Sequence, residues 1–144
     1  MKVSIFFIVM LLLPLYLFAN SNLSQTHLLE LCNKVDLKTS SNKDIKIIHS
    51  NGISKMILSP DKKRLSIITM LTVSTKNQKT LLEKINNFNK KLLFSKVYLE
   101  KNTLTLHSDL NIKHKVSDTK IINFIATFLA IRDTFIPHFT TLKD

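Results

Sequence analysis

The chain has 144 residues, 44% of them hydrophobic and 22% charged, with 21 Lys+Arg against 10 Asp+Glu and a formal net charge of +11. One Gly and three Pro exclude collagen-like repeats and Gly/Pro-rich disorder, and a single Gly cannot build the phosphate-binding loops, which need more than one. One Cys excludes an internal disulfide and any cysteine-based zinc site.

Residues 1–19 have the composition of a secretory signal peptide. Lys2 is a short basic start, Ile5 to Phe18 is an uncharged apolar run broken only by Pro14, and Ala19-Asn20-Ser21 is a small, polar exit. Cleavage is expected after Ala19, with Ser21 as the alternative. An uncleaved anchor fits less well, because the run falls short of the roughly 20 apolar residues that span a bilayer. Cys32 lies well past the leader and follows Leu29-Glu30-Leu31, which is no lipidation site. The expectation is an exported protein, periplasmic or else secreted. Its cations are nearly all Lys, with Arg only at Arg64 and Arg132, and they are scattered without interleaved aromatics. Lys does not grip phosphate bidentately as Arg does. The surplus therefore reads as a solvated surface with no nucleic-acid role. At most it would attract an anionic membrane leaflet peripherally or an acidic protein partner.

Past the leader, Ser24 to Val35 predicts a helix capped by Ser24, with Leu28, Leu31, Cys32 and Val35 on one face. Cys32 is expected to be buried there. Lys38 to Asp44 reads as a polar loop. Ile45–His49 and Ile53–Leu58 predict a hairpin, with Asn51-Gly52 as a type I′ turn. Ser59-Pro60-Asp61 makes the next turn. Leu65 to Val73 then forms a third strand whose near-continuous apolar run suggests cover on both faces.

Thr75-Lys76-Asn77-Gln78 has the form of a capping box. The helix it opens carries Leu81, Leu82, Ile85, Phe88 and Leu92 on one face and ends near Phe94. A second hairpin pairs Val97–Leu99 with Thr103–Ile112 around Lys101-Asn102, with Leu104, Leu106, Leu110 and Ile112 sharing a face. Ser117 caps a last helix whose stripe includes Ile121, Ile125, Phe128 and Phe135. Pro137 is expected to stop it. The fold class is α+β: an antiparallel sheet packed against helices in the order α-β-β-β-α-β-β-α. A single domain spans residues 20–136, and 137–144 form a short tail.

The stretch from Leu82 to Phe135 resembles the YbjN-domain family, bacterial proteins described as sensory transduction regulators with a type III secretion chaperone-like fold. The residues that carry the likeness are Asn86, Asn89, Phe94, Tyr98, Leu99, Leu104, Leu106, Asp109, Leu110, Val116, Ser117, Phe128 and Phe135. Where the family commonly has Gly before Val-Ser, this chain has Lys113-His114-Lys115, so that loop takes another conformation. The resemblance implies a non-enzymatic interaction module.

The residues themselves offer little chemistry. His27, His49, His107, His114 and His138 show no paired metal-ligand spacing, Glu83 and Glu100 are isolated, and no Gly-x-Ser-x-Gly elbow exists. No catalytic residue, cofactor or metal is expected. His107 and Asp109 share the face opposite Leu106, where a solvent-facing or hydrogen-bonded structural role is expected. Asn86 and Asn89 lie three apart on one helix. Their amides could hold a partner's extended segment, bond the sheet's edge, or serve neighbouring backbone. The preferred function is an exported accessory, chaperone-like or regulatory module that binds a protein partner, with a homodimer within that expectation. The alternative is a small exported hydrolase or ligand-binding protein with a convergent polar pocket.

Overall fold

The structure, a computed structural model, describes residues 23–74 and 77–140. The leader, its Ala19 junction and Thr75-Lys76 lie outside the described residues. Three helices and six strands follow in chain order: α1 (Gln25–Lys34), β1 (Thr39–Ser41), β2 (Ile45–His49), β3 (Gly52–Leu58), β4 (Arg64–Thr72), α2 (Gln78–Asn89), β5 (Ser95–Glu100), β6 (Thr103–Asn111) and α3 (Asp118–Thr140). The strands form one antiparallel sheet in the order β1-β2-β3-β4-β6-β5. This is the expected α+β class, with one strand more than expected.

The extra strand is β1. Its polar Thr-Ser-Ser sequence has no apolar alternation, and it exists because β2 offers it a ladder: Thr39 pairs with Ile47 and Ser41 with Ile45. The Ile48 N–H donates to the Lys38 carbonyl at 2.8 Å and extends that pairing. Such an edge strand is set by tertiary pairing and leaves little local signal.

One face of the sheet meets the helices. Ile45, Ile47, Met56, Leu65, Ile67, Val97, Leu104, Leu106 and Ile112 point inward. They meet Leu28, Leu31 and Cys32 of α1, Leu81, Ile85 and Phe88 of α2, and Ile121, Ile125, Phe128, Phe135 and Phe139 of α3. Ser24 caps α1 by accepting from the His27 N–H at 3.1 Å. Cys32 is fully buried as expected, and burial pushes its thiol pKa up. Asn77 caps α2, accepting from the Thr80 N–H. That helix ends at Asn89 and not near Phe94, and Leu82 faces solvent.

Two expectations are overturned at helix and turn ends. Pro137 does not stop the last helix, which runs on to Thr140. A proline removes one intrahelical N–H and crowds the carbonyl four residues back. Only one further turn is involved, and Phe139 is buried in an aromatic cluster, its ring centroid 5.5 Å from Phe88 and 5.2 Å from Phe135. That packing outweighs the lost bond, so the tail begins later than residue 137. In the β2–β3 hairpin, His49 pairs directly with Gly52, so the turn residues are Ser50-Asn51. Neither has positive φ, and there is no type I′ turn. Gly52 alone sits at φ +133. It lies beneath Arg132 of α3, whose Nη2 donates to Asn51 Oδ1, and a Cβ on Gly52 would stand 3.8 Å from that nitrogen. That is ordinary contact distance, so it is the backbone conformation of Gly52, and not the space beside Arg132, that calls for glycine.

Candidate interaction surface

β4 lies in the middle of the sheet, yet only alternate residues are covered. Leu65, Ile67 and Thr69 face the helices, while Ser66, Ile68 and Met70 face the other way, where no described helix lies. The expectation of cover on both faces is therefore wrong. The continuous apolar run reflects two differently used faces.

Register builds this open face row by row. One row crosses all six strands as Ser40, Lys46, Lys55, Ile68, His107 and Lys96, each paired with the next. The adjacent row brings Ile48 opposite Ile53, then Met70 opposite Thr105, and Thr105 opposite Tyr98. Ile53 and Met70 are 49% and 50% exposed, unusually open for large side chains in the middle of a sheet. On the other side, Ile57, Ser66 and Asp109 make a third row. Lys46, Ile53, Lys55, Ile68 and Met70 line a shallow depression of about 160 Å³. Lys46 and Lys55 stand directly opposite each other, half-buried, and neither has an ion-pair partner among the described residues.

His107 and Asp109 also lie on this face. The His107 Nε2 is 3.2 Å from Asp109 Oδ1, and Ser66 Oγ donates to the same carboxylate oxygen. This is the hydrogen-bonded structural role expected of Asp109. The serine is tied to the carboxylate and not to the imidazole, so the trio lacks the nucleophile–base contact of a hydrolase.

The helix-facing side holds a second polar set. His49 Nε2 and Ser54 Oγ share a 3.0 Å hydrogen bond, and Ser54 bonds Thr69 at 2.6 Å. Ser54 is fully buried, so this Ser–His pair is closed to substrate. Burial, and to a lesser degree the nearby Arg132 charge, hold the His49 pKa below the usual imidazole value. Arg132, read from sequence as a surface cation, is 1% exposed. Its Nη1 donates to Asp133 at 3.0 Å, and its Nε has no hydrogen-bond partner. Among the described residues no group of three His, Cys, Asp or Glu is placed to hold a metal ion, and no helix is long and apolar enough to cross a membrane. A groove of about 270 Å³ lies between the start of α1 and the β3–β4 turn, lined by Ser24, Leu28, Lys43, Asp44, Met56 and Lys62 among others.

Asn86 and Asn89 part company. Asn86 is exposed on α2. Asn89, the last residue of that helix, grips the outer edge of β5: its Nδ2 donates to the Val97 carbonyl at 2.8 Å, and its Oδ1 accepts from the Val97 N–H at 2.7 Å. The amide occupies the two backbone groups that a further strand would use, which blunts the edge. Just outside it, Leu93 and Phe94 form an apolar tip, 88% and 74% exposed. Sequence reading missed Ile48, Ile53, Lys46, Lys55 and Met70. The available signal was parity: apolar residues at both odd and even positions of β3 and β4, with too few helices to cover two faces.

No curated protein matches the chain by sequence. Solved structures do match its shape. YbjN from E. coli, described as "a putative transcription regulator", superposes with TM-score 0.67 at 12% identity, covering 78% of this chain and 87% of that one. The Yersinia pestis type III secretion chaperone SycH, solved in complex with a stable fragment of YscM2, matches with TM-score 0.51 at 17% identity over 73% and 92%. The chaperone–effector complex HopA1-SchA matches with TM-score 0.51 at 14% identity over 72% and 86%. The fold is thus the sheet-and-helix layer shared with type III secretion chaperones. The family model described as "Putative bacterial sensory transduction regulator" matches residues 57–141, more than half of the chain, and the chain belongs to that family, YbjN.

Proposed function

We propose that the chain is an exported, non-enzymatic module that holds a segment of a protein partner, in a chaperone-like or regulatory role. The observation that carries this reading is the open sheet face, where Ile48, Ile53, Met70 and Tyr98 stay exposed together. The family's regulatory description and the likeness to chaperones solved with protein partners support it. The leader composition of residues 1–19 supports export, and the Leu93-Phe94 tip is where a second copy would join.

The test is capture from the exported fraction by the mature protein, beside a Met70→Asp variant that folds equally well by circular dichroism. A discrete partner retained by the wild type and lost by Met70→Asp is the expected result. Equal retention by both would overturn the reading. N-terminal sequencing of the exported form is expected to begin at Asn20, or at Asn22 if the cut falls after Ser21. Retention of Met1 would refute cleavage.

A further inference from the structure

The row that crosses the open face carries three lysines and a histidine and no carboxylate. Like charges directly opposite each other across two strands are destabilising, and Lys46 opposite Lys55 is such a pair, with no counter-charge among the described residues. Both side chains are half-buried and line the depression beside Ile53, Ile68 and Met70, which makes it apolar and basic at once. The facing charges cost the fold stability, and an anionic, partly apolar ligand would relieve that cost.

We propose that this face binds an acidic amphipathic segment of a partner protein, with an Asp or Glu between Lys46 and Lys55 and large apolar side chains on the Ile48–Ile53–Met70 row. This rests on the function proposed above and specifies the partner's chemistry. A protein segment fits better than an anionic membrane. A bilayer wants its apolar contacts in the middle and its cations at the rim, whereas here the lysine row lies between Ile53 and Met70 on one side and Ile57 on the other. From β2 to β5 the face spans four strand spacings, about 19 Å, which a helix of about 13 residues covers.

The test uses two synthetic peptides of about that length with one Leu/Ile pattern, one with Glu at its polar positions and the other with Lys. Binding is followed by amide chemical-shift mapping on the mature protein. The acidic peptide is expected to shift Lys46, Ile53, Lys55, Ile68 and Met70, and to bind at least about tenfold tighter than the basic one. Lys46→Glu/Lys55→Glu should reverse the preference. Lys46→Glu alone should weaken acidic-peptide binding while raising the melting temperature, because opposite charges then face each other; this separates binding from folding. Equal binding of both peptides, no effect of the double reversal, or shifts elsewhere would overturn the proposal. So would phosphatidylglycerol vesicles that displace the acidic peptide through the same two lysines. If neither peptide binds but Met70→Asp still loses a captured partner, the acidic chemistry fails while the partner-holding function stands.

Discussion

Asn89 offers a sharp test of how the sheet is held to its helices. Replacing it by Ala removes both hydrogen bonds to Val97, the donation to its carbonyl and the acceptance from its N–H. Each such bond contributes roughly 0.5–1.5 kcal/mol net, and Val97 lies on an edge where water can take up part of the loss. The expected cost is therefore about 2 kcal/mol, read as a lower urea midpoint at unchanged slope. Asn89→Asp sharpens the argument. Its carboxylate can still accept from the Val97 N–H, but its second oxygen then faces the Val97 carbonyl without a proton between them. That contact raises the folded-state pKa of the new carboxyl above its unfolded value. The stability of Asn89→Asp relative to wild type is thus greatest below the unfolded pKa and is lost as pH rises through the folded one. Urea midpoints at pH 4 and pH 7 read this directly. An Ala variant within about 0.5 kcal/mol of wild type, or an Asp variant with no added pH dependence, would refute the clamp.

Other consequences follow from particular contacts. Gly52→Ala should destabilise by roughly 1–3 kcal/mol, because φ +133 strains any residue with a Cβ. Since the new Cβ would sit at ordinary contact distance from Arg132, shortening Arg132 should not relieve that cost, which a double-mutant cycle in urea would show. His49, with its pKa held below 6.5 by burial, binds a proton more readily unfolded than folded. Its contribution therefore favours the fold above pH 6.5 and turns unfavourable as pH falls from there through the folded value, and His49→Gln should flatten that part of a stability–pH curve. Phe139→Ala should cost about 3 kcal/mol by thermal melt despite its place near the chain end, because the ring is buried against Phe88 and Phe135. A melt unchanged from wild type would mean that the last turn, past Pro137, is not part of the core.

The sequence was most informative where one physical signal dominated. The helical stripe of α3 and the alternation of Leu104 and Leu106 on β6, continued by Ile112 just past its end, identified core faces correctly, because burial against one partner layer imposes a single period. It failed where tertiary context decides. β1 is a strand only because β2 is beside it, and the β2–β3 turn is held through Asn51 by Arg132, on a helix far along the chain. Pro137 is tolerated because Phe139 has an aromatic pocket to reach. The candidate surface was hidden for a related reason. Ile53, Ile68 and Met70 looked like core because apolar side chains in strands normally are, and sequence alone does not say that the second face of the sheet lacks a covering layer. Spacing alone left Asn86 and Asn89 equivalent; the fold turns Asn89 to the sheet's edge, whereas Asn86, one turn earlier, reaches solvent.

Site-specific photo-crosslinking tests the central claim most directly. A photoreactive phenylalanine analogue is placed at Met70 on the open face and, separately, at Glu83 on the solvent side of α2, and each protein is irradiated in the exported fraction. A discrete adduct from Met70 and none from Glu83 is the predicted result. Adducts of the same partner from both positions, or from Glu83 alone, would contradict a partner held on the uncovered side of the sheet.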